Sequence, residues 1–528
     1  MGAARLVRWG GWGLFVLVVY LPLTALAADA LRAGAPALPE ALDLMVPRGR
    51  RLDLLARSVV LSTAVAASSA AVGALVAFSI VFSAARGPRA LRWLALAILP
   101  VPAYVHAMAW TSLVFRANVW LAANGWPRLP QTGMPLAGWV QMASLLPLAV
   151  ALAIVAFAAV PRELVEAGRV ARSDDAVARR IVVPLSAPLL LAGAGLVFVL
   201  SALDYSVASL YQVNVYALSI FADFSATGRV LRAAALAVPL IGLTAATVVA
   251  TQTVWRRAMV QASRTAQGGC SMRLPVAARA LQAAAAGVLA VQTAVLAVSL
   301  TVAAGDAGAV VAAIAPVAPE IAYSIGVSAA AAILGVAAAL AVAGPMAAGG
   351  NAGTWWWLVA TLPLAVPAPL VGIGLVVLWN RPLAVPVYGS VVMPVLAGAA
   401  RFTPLAAVVL AAHLRRQDDR LLDAARVFQA SPWAGFWRVG VPLVAPGALA
   451  AAGVVFALTL GELGATLLVA PPGHGTLTVR IYNYLHYGAF DTVAGLCLVM
   501  VVITTVAGAA AAGSFALAGR WLAGGDDG

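Results

Sequence analysis

About twelve apolar runs of roughly twenty residues each divide this chain, and they leave it few folds to choose from. In lipid the backbone must satisfy its own hydrogen bonds, so runs of this length read as spanning helices. The composition agrees: of 528 residues 63% are hydrophobic and only 10% are charged, with a mean hydropathy of +0.97. The chain is therefore expected to be an all-α integral membrane protein. Its net charge of +14 could suggest a nucleic-acid partner, but arginines on the cytoplasmic side of spans account for it and no nucleic acid is expected. All 33 basic residues are Arg. A phosphate-binding loop needs a Lys to reach the nucleotide, so this chain cannot be its own ATPase and any ATP would be bound by a partner. Cys270 and Cys497 fall in a linker and a span, too few and too far apart for a disulfide framework or a metal cluster.

Taken in order, residues 1–57 read as a first span and an external segment. Arg5 and Arg8 before an apolar run and Ala25-Leu26-Ala27 could mark a cleaved signal, but a retained span is the preferred reading. Residues 58–254 follow as a first half with spans near 59–84, 93–115, 138–160, 187–210 and 230–254. A basic, polar stretch at 255–277 is read as a cytoplasmic linker. Residues 278–522 repeat the plan, with spans near 280–303, 321–343, from Trp355, 390–414, 447–469 and 492–522, and 523–528 form a tail. Pro100 and Pro102 in the third span are echoed by Pro363, Pro367 and Pro369 in the ninth, where broken backbone ladders imply kinked, protein-facing helices.

Two segments break the apolar plan. One runs from Arg162 as RELVEAGRVARSDDAVARRIVVPLSAP to Pro188; the other runs from His413 as HLRRQDDRLLDAARVFQASPWAGFWRVGVPLVAP to Pro446. Glu166-Ala167-Gly168-Arg169-Val170 matches Asp423-Ala424-Ala425-Arg426-Val427, and Pro184-Leu185 with Pro188 matches Pro442-Leu443 with Pro446. Leu421, Leu422, Ala425 and Phe428 fall at helical spacing, and Ser431-Pro432 opens a second short helix. A charged helix pair at the same place in two hydrophobic halves reads as a surface that something soluble grips. The small residues let a partner approach closely, and the acidic residues, early in their helices, favour the positive helix end.

Both segments resemble the EAA loop of ABC-importer permeases, which docks on the cytoplasmic ATPase subunits. Asp423 stands for the family's Glu in the second copy, Gly168 for its second Ala in the first, and the family's Gly position is Arg172 in one copy and Gln429 in the other. The first copy is one residue shorter, 18 steps from Glu166 to Pro184 against 19 from Asp423 to Pro442. The resemblance covers about residues 55–250 and 320–515. It implies two tandem six-helix permease halves related by a pseudo-two-fold along the membrane normal, about twelve transmembrane helices in all. It further implies a multi-pass inner-membrane chain, two ATP-binding-cassette ATPase subunits, a periplasmic substrate-binding protein, and Glu166, Ala167, Gly168, Asp423, Ala424 and Ala425 as ATPase-coupling residues. No catalytic residue and no metal or cofactor of this chain's own is implied. GELGATLLVAPPG and TLTVRIYNYLHYG in the second half resemble the ferric-iron group, making ferric iron the first expected substrate. Thiamine, polyamine, phosphonate or another small solute is the alternative.

Three charged residues lie within apolar runs. Asp204 and Glu462 each fall twenty residues after the loop-closing Pro184 and Pro442, so they occupy equivalent positions. Charge at that depth costs at least about 2.5–3.5 kcal/mol and ordinarily faces the bundle interior. Both are read as translocation-pathway residues, and two acidic groups there suit a cation. Arg401, in ARFTP, is a third pathway candidate for which the sequence names no partner; its counterpart, by spacing from Pro147 and Pro404, is Ser144. The alternative role for the two carboxylates is a structural pair to polar neighbours such as Arg401 or Tyr205. His106 and His413 lack partners at ligand spacing, and His474 and His486 sit in the last external loop. A twelve-span secondary transporter driven by an ion gradient remains the other class to weigh, although it would not need a charged helix pair in each half.

Overall fold

The computed structural model describes residues 10–32, 38–83, 86–262, 271–348, 350–417, 419–429, 431–487 and 490–523. Among these residues every regular element is helical. Ten helices are long and apolar enough to cross a membrane, or up to twelve if each of two bent pairs counts as one span.

The chain opens with α1 (Gly10–Arg32), α2 (Leu38–Met45) and α3 (Arg50–Val81). The second span is thus longer than its apolar run. Its helix begins at Arg50, after a turn at Gly49 whose φ of 51° suits glycine, and Arg51 donates to the Asp43 carboxylate at 2.7 Å across that turn. Next come α4 (Arg86–Ile98), α5 (Ala103–Ala123) and α6 (Met134–Ala158), then the short α7 (Arg162–Ala171). The half closes with α8 (Asp174–Leu203), α9 (Ser206–Leu210), α10 (Tyr216–Thr227) and α11 (Val230–Ala262). The second half runs through α12 (Val276–Ala304), α13 (Ala307–Ile314), α14 (Ala318–Ala347), α15 (Gly350–Thr361) and α16 (Ala368–Trp379). It continues with α17 (Val392–Leu414), α18 (Asp419–Phe428) and α19 (Trp433–Leu460), and ends with the turn α20 (Thr466–Val469), α21 (Leu477–His486) and α22 (Phe490–Ala523). Cys270 lies outside the described residues.

The helices pack in the same pattern in each half. In the first, α3 lies on α6 and α8, and α8 on α6 and α11; in the second, α14 lies on α17 and α19, and α19 on α17 and α22. The opening helices are exchanged. α1 packs on α16 and α17 of the second half, and it bonds their neighbours: Trp12 Nε1 donates to Ala341 O on α14 at 3.0 Å and Tyr20 OH to Val359 O on α15 at 2.5 Å. α12 packs on α3 and α5 of the first half, where Trp110 Nε1 donates to Gln292 Oε1 at 2.9 Å. One apolar core therefore runs from Leu61 and Val105 to Leu460 and Met500 without a seam.

The third and ninth spans are broken rather than kinked. α4 and the following α5 meet at 105°, and α15 and α16 meet at 95°. Pro102 and Pro367 hold extended backbone at the two elbows, with ψ of 148° and 140°. A proline supplies no N–H and crowds the preceding turn, so each elbow frees backbone carbonyls in an apolar setting. Threonines answer them. Thr505 Oγ1 on α22 donates to Ala97 O at 3.1 Å, and Thr244 Oγ1 on α11 donates to Ala365 O at 2.8 Å. Each elbow is thus stitched to the last helix of the opposite half.

Candidate functional site

The two charged segments fold alike. In the first, α7 is followed by a turn and then by Ser173, whose side chain accepts from Ala176 N at the start of α8. In the second, α18 is followed by Ser431, whose Oγ accepts from Ala434 N at 3.1 Å. Both serines lie eleven residues before the closing proline, Pro184 or Pro442, so the one-residue difference between the copies is absorbed in the turn. Both copies then carry a π turn in the same place, Ala178–Val182 and Phe436–Gly440. The cause is the proline two residues on. Its ring would strike the carbonyl four residues back, and the wider turn lets Val183 N bond Ala178 O and Val441 N bond Phe436 O instead.

Glu166, Ala167, Asp423 and Ala424 are exposed on these loops, whereas Gly168 and Ala425 are half-buried. Glu166 pairs with Arg162 at 2.7 Å. Gly168 does not offer its small size to a partner: a Cβ there would meet Ile181 and Val177, so this glycine lets α7 close on α8. The outward small residues are Ala167 and Ala424. The copies also differ in chemistry. The first carries the ion pairs Arg169–Asp174 and Asp175–Arg179, and the backbone N–H of Arg273 in the linker donates to Asp174 at 2.6 Å. At the positions of Asp175, Ala178 and Arg179 the second carries Trp433, Phe436 and Trp437, which are exposed and packed on one another. Arg415, where α17 enters the second loop, donates to Met346 O and Arg256 O; burial, then the neighbouring Arg256, pushes its pKa down.

The carboxylates sit at helix breaks and not within continuous spans. The helices expected over 187–210 and 447–469 end at Leu203 and Leu460. Asp204 Oδ1 accepts from Ser206 N at 3.0 Å and Ser206 Oγ at 2.6 Å, the geometry of an Asx turn that opens α9. Glu462 Oε1 accepts from Ala465 N at 2.7 Å, in the turn that leads into α20. The other carboxylate oxygen of each reaches back to the helix that precedes its loop. Gln141 Nε2 on α6 donates to Asp204 Oδ2 at 3.0 Å, while Ser201 Oγ holds the Gln141 oxygen at 2.7 Å. Arg401 on α17 pairs with Glu462 Oε2, and the Glu462 side chain is only 3% exposed. Of the two carboxylates, it is Glu462 that takes Arg401 as its partner, the pairing named as the structural alternative. The residue that plays Arg401's part in the first half is Gln141, one turn before the expected Ser144, whose hydroxyl bonds its own helix at Gln141 O.

The two breaks and the two elbows converge. A Cβ on Gly461 would lie 2.6 Å from Pro102 Cγ, and one on Gly464 would lie 2.6 Å from Ala368 Cβ and 3.3 Å from Tyr205 Cε1. Asp204 and Tyr205 are also the electrostatic neighbours of Arg401. The three sequence candidates for the pathway are thus brought to one place, where the halves meet. The histidines are not: His106 is buried in α5, His413 bonds Leu443 O at 2.8 Å beside the second loop, and His474 lies in an exposed turn. The His486 side chain lies outside the described residues.

Residues 331–520 match the family described as binding-protein-dependent transport system inner membrane component. The second half carries that domain, and with its spanning helices the chain is a multi-pass protein of the inner membrane. Among curated proteins it is 32% identical over 151 residues to the putative 2-aminoethylphosphonate transport system permease protein of Salmonella typhimurium, covering 28% of this chain and 56% of that one. It is 32% identical over 116 residues to the molybdenum transport system permease protein of Haemophilus influenzae, covering 21% and 51%. The chain thus spans about half the length of these relatives.

Proposed function

We propose that the chain is the fused, two-half permease of an ATP-driven importer, lining the path for a solute that a periplasmic binding protein delivers. The observation that carries this reading is the pair of loops. Two helix pairs with the same serine cap, the same π turn and the same closing proline, each between the third and fourth long helices of its bundle, make two docking elements for two ATPase subunits. A gradient-driven transporter has no use for them. Closure of the ATPases on ATP would move α6 and α8 in one half, α17 and α19 in the other. Asp204 and Glu462 tie those same helix pairs together beyond the loops, at the break where the halves meet.

For the solute, the ferric reading rests on the second half's sequence and on two free carboxylates. Glu462, however, is paired with Arg401, so the site presents both signs of charge. That balance favours a small solute bearing an anionic and a cationic group, such as an aminoalkylphosphonate, over a bare cation; the name of the Salmonella relative points to such a solute, while that of the Haemophilus relative points to molybdenum. Cells carrying this chain with its ATPase and binding protein are expected to take up 2-aminoethylphosphonate, with uptake persisting when the proton gradient is collapsed and ATP maintained. Uptake of ferric iron in its place would restore the ferric reading. Uptake that follows the ion gradient and ignores ATP would overturn the importer itself.

A further inference from the structure

A cavity of about 470 Å³ lies away from the meeting point of the halves, between the end of α3, the start of α4, linker residues 272–274 and the first turns of α12. It is within the size range of small-molecule sites. Phe78, Phe82, Leu91 and Leu274 line its apolar part, while Arg279 and Gln282 lie on its polar side. Among the described lining residues none is acidic. Its walls are fixed: Met272 N donates to Phe82 O at 3.0 Å, and Phe78, Phe82, Met272 and Leu274 share one cluster with Val165 and Val177 of the first charged loop. The cavity therefore sits at the loop end of the bundle.

The helix beside it is basic where it starts. α4 reads RGPRALRWLALAI, with Arg86, Arg89 and Arg92 at every third position and apolar residues after them. Arg89 Nε is tethered to Ser83 O at 3.1 Å on the cavity wall, and Arg92 stacks over the exposed Trp93 at 4.9 Å. α15, its counterpart, reads GNAGTWWWLVAT and has no basic residue.

We propose that this cavity holds an acyl chain of one anionic phospholipid, with the phosphate drawn to Arg279 and Arg89. An apolar slot with a basic edge, at the cytoplasmic face of spanning helices, matches a lipid in both chemistry and orientation. The lipid would brace the first charged loop through Phe82 and Leu274. Transport is not needed to test this, so its failure is separable from failure of the importer reading. The full chain, purified and delipidated in detergent, is titrated with phosphatidylglycerol or phosphatidylcholine, and bound lipid is counted by native mass spectrometry. Wild type is expected to retain one phosphatidylglycerol more tightly than any phosphatidylcholine. Ala283→Trp, which fills the slot, should lose that molecule, and Arg279→Gln should bind it about fivefold more weakly. An Ala283→Trp protein that folds and keeps the lipid overturns the proposal. If that variant does not fold, Arg279→Gln decides, and unchanged affinity overturns it. Displacement of the lipid by inorganic phosphate alone would mark a small-anion site and would also overturn it.

Discussion

Glu462→Gln is expected to destabilise the folded chain by about 3–5 kcal/mol, the cost of leaving one member of a buried ion pair without its partner. Arg401 would lose the carboxylate it pairs with directly and keep only the more distant field of Asp204. Asp204→Asn should cost far less, about 1–2 kcal/mol, because Gln141 and Ser206 can still bond a neutral amide. Replacing both members, with Arg401→Met and Glu462→Gln together, should recover most of the loss, since no unpaired charge then remains. Apparent Tm values of the four purified proteins in one detergent check this. Equal shifts for Asp204→Asn and Glu462→Gln, or a double variant as damaged as the single, would show that the Arg401–Glu462 pair does not carry this stability.

The second large effect is on the loops. Ala167→Arg and Ala424→Arg place a long cation on the two exposed small positions while leaving the loop cores untouched. Each should weaken association with the ATPase by about thirtyfold or more, the scale of a central interface residue worth 2 kcal/mol. Uptake should be lost, with the amount of protein in the membrane unchanged. Gly168 would be a poor site for this test, because a side chain there meets Ile181 Cδ1 inside the loop and points at α8 instead of outward. Wild-type uptake by both alanine variants would remove the coupling role.

The spans were legible because a run of twenty apolar residues has one solution in lipid. The charged loops were legible because Glu166, Asp423 and the closing prolines recur at near-equal spacing in a chain otherwise poor in charge. What the sequence hid is tertiary. Prolines at 100, 102, 363 and 367 signal a bend, but the right-angle elbows depend on Thr505 and Thr244 arriving from the opposite half to bond the freed carbonyls. Asp204 and Glu462 fall in apolar runs that continue on both sides, so composition gave no sign that the helices stop there. The signal was local and lay in Ser206 and in Gly461 and Gly464, residues suited to an Asx turn and an unwound stretch. Arg401's partner is sixty-one residues away in sequence, and the exchange of α1 and α12 between halves leaves no trace in periodicity.

In this reading the two loops are the docking elements of a separate ATPase. That docking is tested by placing single cysteines at Ala167 or Ala424, with Cys270 and Cys497 replaced, and cross-linking in membranes from cells that express the chain with its genomic partners. Both positions are predicted to capture a nucleotide-binding subunit identified by its phosphate-binding loop, while a cysteine on the exposed turn at His474 captures none. Failure of both loop cysteines to capture such a subunit, in membranes where uptake is intact, would contradict the claim.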